Sequence, residues 1–514
     1  MIMLQGPLSF NYELPKKLAA LTGHAGVGVF LDLIYESDLL SSIEKHLDVR
    51  TDTQGWSDAQ CIITILLLNL VGGQCVDDVH LLENDQGLCC LMHDLEKREF
   101  LRSSRILNFG RWRKPKMRIF PSPTAIFNFL RHFHDASDQH DRSAGFAYIP
   151  QKHAQLTGLQ AVLKDLLSFE QKHHPEAVAT LDQDATLDKT FKQNAFFCYK
   201  GYKAYQPMNT YWFENRLLVH SEFRDGNVNA GFEELRVLQE ALNQLPEGVK
   251  QVNFRADTAG YQVDLIRYCS EGKNGRFGII KFSIGCPVTP EFKKAVKELS
   301  EKDWQAYYHV DQEGVATVTD HEVAELNFVP NWISYKKSNP DYRYVAIREK
   351  LNNCDNKTKK IDLPFQTIHC EGDCYKLFGI ITNRFDLSTS GVVQWNRERC
   401  GKSEEVHKYQ KIDLTCENLP SKYFGSNAAW WQIMVLSFNL INMMKNLLGL
   451  DYGETHLKYL RDNFINIPGY VIHHARKLVI RLGMAHTQTI HYLILLRKTI
   501  LTLGIPPVIH GLIF

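Results

Sequence analysis

The 514-residue chain has almost no charge excess: 59 Lys and Arg stand against 58 Asp and Glu, a formal net charge of +1. A chain-wide attraction to polyanions is thereby excluded, and any nucleic-acid footprint has to be local. Cysteine is sparse, 12 residues with one adjacent pair at Cys89 and Cys90. That excludes the dense disulfide framework of small secreted domains and predicts free thiols. No apolar run amounts to the roughly 20 residues that a membrane span needs. CIITILLLNLV from Cys61 is too short, and AAWWQIMVLSFNLINMM from Ala428 is interrupted by Gln432, Ser437, Asn439 and Asn442, so it reads as a buried core helix. The first residues, MIMLQGPLSFNYELPKK, lack the basic start, apolar centre and cleavage site of a secretion signal. These absences predict a soluble, cytoplasmic chain with no membrane partner. There is also no H-E-x-x-H, no G-x-G-x-x-G after a strand, no internal repeat and no low-complexity tract.

What remains is globular: 44% hydrophobic, 11% aromatic and 23% charged residues exclude wholesale disorder and suffice for buried cores. At roughly 100 to 200 residues per domain, the length suggests about three structural units. Residues 1–145 read as mainly helical. Ser57-Asp58 caps the run from Cys61, and Ser122-Pro123 caps TAIFNFLRHF with proline in the first turn. Residues 146–285 form the next unit, in which the period changes from about residue 176. AVATLDQDATLDK alternates, and YKAYQPMNTYWF and RLLVHSEFR flank a Glu214-Asn215 turn as a hairpin. Phe232, Leu235, Leu238, Leu242 and Leu245 form a helical stripe ended by Pro246 and Gly248. VKQVNFRAD is then a strand, TAGYQVDLIRYCSEG a helix and RFGIIKFSIG a strand. Three strands, helix, strand, helix, strand call for an α/β fold, a mixed sheet with flanking helices. Residues 286–374 read as a β-rich insertion with strands at NFVPNWISY and YRYVAIREK. Residues 375–450 supply a last strand, YKLFGIITN, a charged helical stretch and the apolar helix. Residues 451–514 are basic and apolar in alternation, and period alone leaves VIHHARKLVIRL open between strand and helix.

Local charge does break the balance. Residues 97–118 hold nine Lys or Arg, among them Arg111, Arg113, Lys114, Lys116 and Arg118, against one acid, Glu99. Phe100, Phe109, Trp112 and Phe120 are interleaved, a pattern suited to holding phosphates while apolar groups anchor the segment or meet bases and sugars. A solvated basic loop is the bland alternative.

Three acids carry the candidate chemistry. Asp182, Asp184 and Asp188 lie at even offsets, so on a strand their carboxylates project from one face. Burying like charges unpaired is costly, so they are expected at exposed positions facing water or a cation. Asp257 stands where a strand stops, and Glu404 and Glu405 lie on the late charged helix. Two aspartates on neighbouring strands and a glutamate from a helix across their ends make an all-oxygen pocket for Mg²⁺ or Mn²⁺. Such a pocket takes two ions about 3.5 to 4 Å apart and clamps the oxygens of an in-line phosphoryl displacement. Spacing alone equally allows Asp257 as a helix cap and Glu404 and Glu405 as a solvated face.

The blocks LDQDATLDK, FRADTAGY and RERCGKSEEVHKYQKIDL, followed by LPSKYFGSNAAWWQIMVLSFNL, resemble the DDE transposases of bacterial insertion sequences, in the branch with a large insertion before the glutamate. The resemblance implies a ribonuclease-H-like catalytic domain, split over 146–285 and 375–450, with 1–145 binding DNA. It implies that three acids bind divalent metal, hydrolyse a phosphodiester at the element's end and join the freed 3′ hydroxyl to target DNA. Asp184 in Asp-x-Thr matches the first acid and Asp257 in Arg-Ala-Asp the second. For the third, the related signature is Tyr, two residues, Arg, three residues, Glu, six residues, Lys. Glu404 with Lys411 keeps the last spacing, whereas Glu405 puts Ile412 at the lysine position. Upstream the chain departs from it, with Cys400 at the arginine position and Arg397 at the tyrosine position. Arg397, Arg399 and Lys402 are therefore the candidate phosphate-contacting groups, beside Lys411. DNA, as terminal inverted repeats and target, is the implied partner, bound by a homodimer or higher oligomer. A non-catalytic DNA-binding descendant and a nuclease without strand transfer remain open.

Other clusters are weaker. Gly401-Lys402-Ser403 lacks the upstream glycine of a phosphate-binding loop, Asn396 standing there. His132, His134 and His140 with Asp135 and Asp138 read as a hydrated linker, and His369, Cys370 and Cys374 as a turn at a strand entrance.

Overall fold

The structure, a computed structural model, describes residues 20–49, 55–102, 118–143, 146–310, 314–330, 332–333, 342–351, 365–370, 373–399, 406–414, 418–449, 456–474, 477–483 and 487–503. A short strand, β1 (Ala20–Thr22), precedes α1 (Val27–Glu36), α2 (Leu39–His46), α3 (Asp58–Val71), α4 (Val79–Glu83), α5 (Gln86–Arg102), α6 (Pro123–Arg131), α7 (Ala136–Asp141) and α8 (Ala154–His173). Both predicted caps form. Ser57 and Gln60 make a reciprocal capping box on α3, and Ser122 accepts from the Ala125 N–H with Pro123 in the first turn of α6. Helix α3 is buried along almost its whole length, as an all-round apolar helix must be.

The sheet begins with β2 (Val178–Ala185), followed by β3 (Asp188–Lys189), β4 (Ala204–Tyr205), β5 (Met208–Trp212), β6 (Leu217–Glu222), α9 (Glu234–Gln244), β7 (Gln251–Ala256), α10 (Val263–Ser270) and β8 (Lys281–Cys286). Helix α11 (Pro290–Lys297) leads to β9 (Gln305–Val310), β10 (Ala316–Leu326), β11 (Arg343–Lys350), β12 (Thr367–Cys370) and β13 (Asp373–Thr382). Then come α12 (Thr389–Arg397), α13 (Phe424–Leu448), the hairpin β14 (Gly469–His474) and β15 (Lys477–Leu482), and α14 (Thr487–Leu503).

The ten-stranded mixed sheet runs β6-β5-β2-β7-β8-β13-β11-β10-β9, with β12 also on β13. The β5–β6 hairpin pairs antiparallel to β2, and β2, β7 and β8 are parallel. Parallel neighbours need long crossovers. Helices α9 and α10 supply them, so the mixed α/β architecture expected from the order of elements is the one observed. Strands from 286–374 join the same sheet through β13. VIHHARKLVIRL resolves as strand: β14 and β15 form a hairpin, with β1 completing a three-stranded sheet.

NFVPNWISY is a correction. Strand β10 ends at Leu326, and the described residues beyond it are not strand. Their aromatic rings plug a layer instead: Phe328 meets Phe292 and Tyr344 edge-on at 5.5 and 4.9 Å, and Trp332 packs on Tyr261 and Tyr342. Proline at 330 cannot donate to a ladder, which favours this outcome over a paired strand.

Helix α13 is buried from Phe424 to Lys445 and packs on α3, α6, α8 and β6. Its polar residues are placed by the sheet. Strand β6 is a sheet edge, and Asn439 accepts from the Leu218 N–H at 2.8 Å and donates to the Leu218 C=O at 2.9 Å. Gln432 donates to the Ser221 C=O at 2.5 Å, and Ser437 accepts from Asn69 of α3. No single described helix is long and apolar enough to cross a membrane. The cysteines at the described positions are not joined in disulfides.

Candidate active site

Strands β2 and β7 run side by side with Gln183 opposite Ala256 as their last registered pair. One residue further along each strand stand Asp184 and Asp257, so the parallel register delivers both carboxylates to the same end of the sheet. Asp257 turns the chain: its Oδ1 accepts from the Ala259 N–H at 2.9 Å and caps a single helical turn, Thr258–Gly260. The bland capping role and a place at the sheet end are therefore both realised by one residue. Gly285 of β8 permits the corner, because a Cβ there would lie 2.9 Å from the Thr258 nitrogen and 3.1 Å from the Asp257 carbonyl carbon.

Asp184 receives Nη1 of Arg399 at 3.2 Å. Burial nevertheless pushes its carboxyl up to about 6; the Arg399 charge opposes that, and the negative charge of Asp257 reinforces it. A third acid shares this environment. Glu234, in the first turn of α9 and 1% exposed, is pushed up to about 8 by burial and by the charges of Asp257 and Asp184. Gly260 lets the Asp257 turn close on it: a Cβ at 260 would be 3.2 Å from Glu234 Oε2. Sequence reasoning passed over Glu234 because an acid in a first helical turn is already favoured by the helix dipole. Its signal was a glutamate that continues the buried face of the helical stripe.

Asp182 is corrected. It is 1% exposed rather than solvated, because Arg255 on β7, its registered neighbour, clamps it with Nε at 2.6 Å and Nη2 at 2.9 Å. Arg255 also donates to the Trp395 C=O at 2.7 Å and reaches Glu398 at 3.2 Å. It thereby pins the end of α12 and the residue just before Arg399. Asp188 is likewise buried rather than exposed, at the base of the small β3–β4 ladder.

Glu404, Glu405, Lys402 and Cys400 lie outside the described residues, but both flanks of their segment are placed. On one side Arg399 meets Asp184. On the other, Gln410 accepts from Asn209 at 2.9 Å, and Asn209 is the registered partner of Asp184 on β5. Asn209 accepts in turn from Ser221, which accepts from Trp431 of α13, a buried chain that fixes this flank. Lys411 is half-buried in a π-helical turn, Tyr409–Asp413. His407 is pushed down to about 3 by burial, with the charges of Lys411 and Arg399 adding to the effect. Lys411 and Arg399 thus both bear on His407, and Arg399 on Asp184 as well.

The other candidates are dispersed. Arg397 stacks over Tyr307 of β9 at 4.7 Å, so among the described residues Arg399 is the candidate that reaches Asp184. Arg118 is exposed beside Glu83, and Arg111, Arg113, Lys114 and Lys116 lie outside the described residues. His134 packs on Tyr423 at 4.8 Å and Asp135 caps α7, so that cluster is local structure. Among the described residues no three His, Cys, Asp or Glu side chains stand close enough to hold a metal ion.

Residues 19–500 match the family described as Transposase DDE domain group 1. The chain belongs to that family. Membership supports a DNA transposase function for this DDE transposase, with DNA as its partner and nuclease or transferase chemistry at its centre. No curated protein matches the chain. Among solved structures the DDE transposase is similar to a cryo-EM structure of a piggyBac transposase synaptic complex with hairpin DNA, at 10% identity over 87% of each chain and a TM-score of 0.34.

Proposed function

We propose that the chain is the transposase of a bacterial insertion sequence, with a ribonuclease-H-like catalytic domain that hydrolyses a phosphodiester at each element end and transfers the freed 3′ hydroxyl into target DNA. The observation that carries this reading is the delivery of Asp184 and Asp257 to one sheet end by adjacent parallel strands, with both flanks of the Glu404 segment held there by Arg399 and Gln410. The run β6-β5-β2-β7-β8, an antiparallel hairpin on a parallel trio, supports the ribonuclease-H-like assignment.

The donors fit a hard divalent cation. They are carboxylate oxygens, and their crowding pushes Asp184 and Glu234 toward the protonated form, an excess of negative charge that a cation relieves. Asp184, Asp257 and Glu404 would hold Mg²⁺ or Mn²⁺, as two ions, which supply an activated oxygen nucleophile and charge neutralisation on the leaving oxygen. Without metal, burial and the charges of Asp257 and Asp184 hold Glu234 toward its protonated form. Arg399 orients the Asp184 carboxylate, and with Lys411 it offers positive charge to the non-bridging phosphate oxygens. Asp257 is held in place by its cap on Ala259. The basic segment 97–118, Arg397 and Lys402 hold the DNA backbone. A homodimer or higher oligomer acts on paired terminal repeats in the cytoplasm.

Incubation with candidate terminal inverted-repeat DNA and Mg²⁺ tests the reading, which requires nicked ends followed by joined product. Binding without nicking would make the chain a non-catalytic DNA-binding protein; nicking without joining would make it a nuclease.

A further inference from the structure

Between the sheet end that carries Asp184 and the start of β5, the chain leaves the sheet as a finger, residues 188–205. Its base is the β3–β4 ladder, with Asp188 opposite Tyr205 and Lys189 opposite Ala204. Above that base the finger is held by its own backbone: Thr190 N–H to Lys203 C=O, Ala204 N–H to Phe196 C=O, and Cys198 N–H to Tyr202 C=O, closed by a turn at Gly201 with φ of 81°. Ala195 and Cys198 are buried, and Arg142 secures the root by stacking on Phe196 at 5.3 Å. This is a built element, yet its outer face carries Phe191, Tyr199 and Phe197 at 92%, 78% and 63% exposure. Three large rings held in water on one short finger are unfavourable unless something covers them.

The charge of the finger says what covers it. Residues 189–203 contain Lys189, Lys192, Lys200 and Lys203 and not one Asp or Glu, in a chain that is otherwise balanced. The ammonium groups stand by the rings, Lys189 over Phe191 at 5.6 Å, Lys200 over Tyr199 at 5.7 Å and Lys203 over Phe197 at 6.0 Å. Paired rings and cations match a nucleotide strand, whose bases stack on aromatic faces while its phosphates meet lysines. Lys189 is five residue steps beyond Asp184, a reach of at most about 18 Å, roughly half a turn of duplex. We propose that this finger is a stacking platform for unpaired nucleotides next to the phosphodiester held at Asp184, with Phe191 and Tyr199 taking bases and Lys192 and Lys200 the phosphates. The proposal rests on the transposase reading and adds its substrate form: a splayed rather than fully paired DNA end.

The test compares wild type, F191A/Y199A and K192A/K200A by fluorescence anisotropy on two DNAs of equal length, one blunt duplex and one with four unpaired nucleotides at its end. Phe191, Tyr199 and Lys200 are exposed and Lys192 is half-buried, so the variants should fold, which circular dichroism checks. F191A/Y199A is expected to lose at least tenfold affinity for the splayed end and little for the blunt duplex. K192A/K200A is expected to weaken both and to flatten the salt dependence. Undiminished F191A/Y199A binding to the splayed end overturns the finger alone, and wild type that binds neither DNA overturns the transposase reading with it. A change in oligomeric state of F191A/Y199A without DNA, read by sedimentation, together with unchanged DNA affinity, would assign the rings to protein association and also overturn the proposal.

Discussion

At position 184 a carboxyl has given up most of its water, gained one guanidinium and acquired two acidic neighbours, and burial outweighs the guanidinium in setting its protonation. The sign of the pH dependence follows. Asp184 and Glu234 titrate above their unfolded values, so the folded chain holds protons that the unfolded chain has released. Without metal, that contribution to stability is present below about pH 4 and is lost as pH rises through about 6 for Asp184 and about 8 for Glu234. A bound divalent cation replaces the protons, so the thermal stabilisation by Mg²⁺ should be small at pH 5 and grow toward pH 8. A gain independent of pH would detach these acids from the cation. Single changes of Asp184, Asp257 or Glu404 to Ala should lower DNA cleavage by about a thousandfold or more with DNA affinity nearly intact, as loss of a major charge-stabilising group does. Retained turnover removes that residue from the site. Asp184 and Asp257 could be picked out in the sequence because the blocks LDQDATLDK and FRADTAGY resemble those of DDE transposases, whereas spacing alone left Asp257 open as a helix cap. The burial of Asp182 could not, since it depends on Arg255 arriving from a strand 73 residues away.

Elements are positioned here by polar clamps in apolar surroundings. Asn439 satisfies both backbone groups of Leu218 at the unpaired edge of β6, and Asn439→Leu would leave an N–H and a C=O buried without partners. The expected cost is about 2 to 6 kcal/mol, taking roughly 1 to 3 for each orphaned group; a chemical-denaturation midpoint unchanged from wild type would contradict this. Asp182→Ala strands the Arg255 charge in a site that is 0% exposed and should cost about 3 to 5 kcal/mol. Because Arg255 also holds the end of α12, the variant should lose cleavage in excess of what its stability loss explains. Periodicity and capping residues made α3, α6, α9 and the strands β2, β5, β6, β7 and β8 legible. The polar residues that ruled out a membrane span in α13 were legible as interruptions, while their role on β6 required the packed pair. NFVPNWISY misled because apolar and aromatic residues that plug a layer show the same alternation as a strand.

Across the whole molecule, a nearly neutral chain has to concentrate its DNA contacts. The segment 97–118 holds the largest local excess of positive charge, and residues 103–117 of it lie outside the described residues. Replacing Lys114 and Lys116 together by Ala should weaken DNA binding and reduce the slope of log K against log salt by about 2, one counterion per lost phosphate contact. An unchanged slope refutes a phosphate role for both. The central claim is that Asp184, Asp257 and Glu404 share divalent ions at the end of one sheet. Crystals of the protein soaked in Mn²⁺ and measured for anomalous scattering test it most directly. The expected result is one or two peaks about 2.1 Å from carboxylate oxygens of all three residues. Peaks elsewhere, or a Glu404 carboxylate too far from Asp184 and Asp257 to share an ion, would contradict the account.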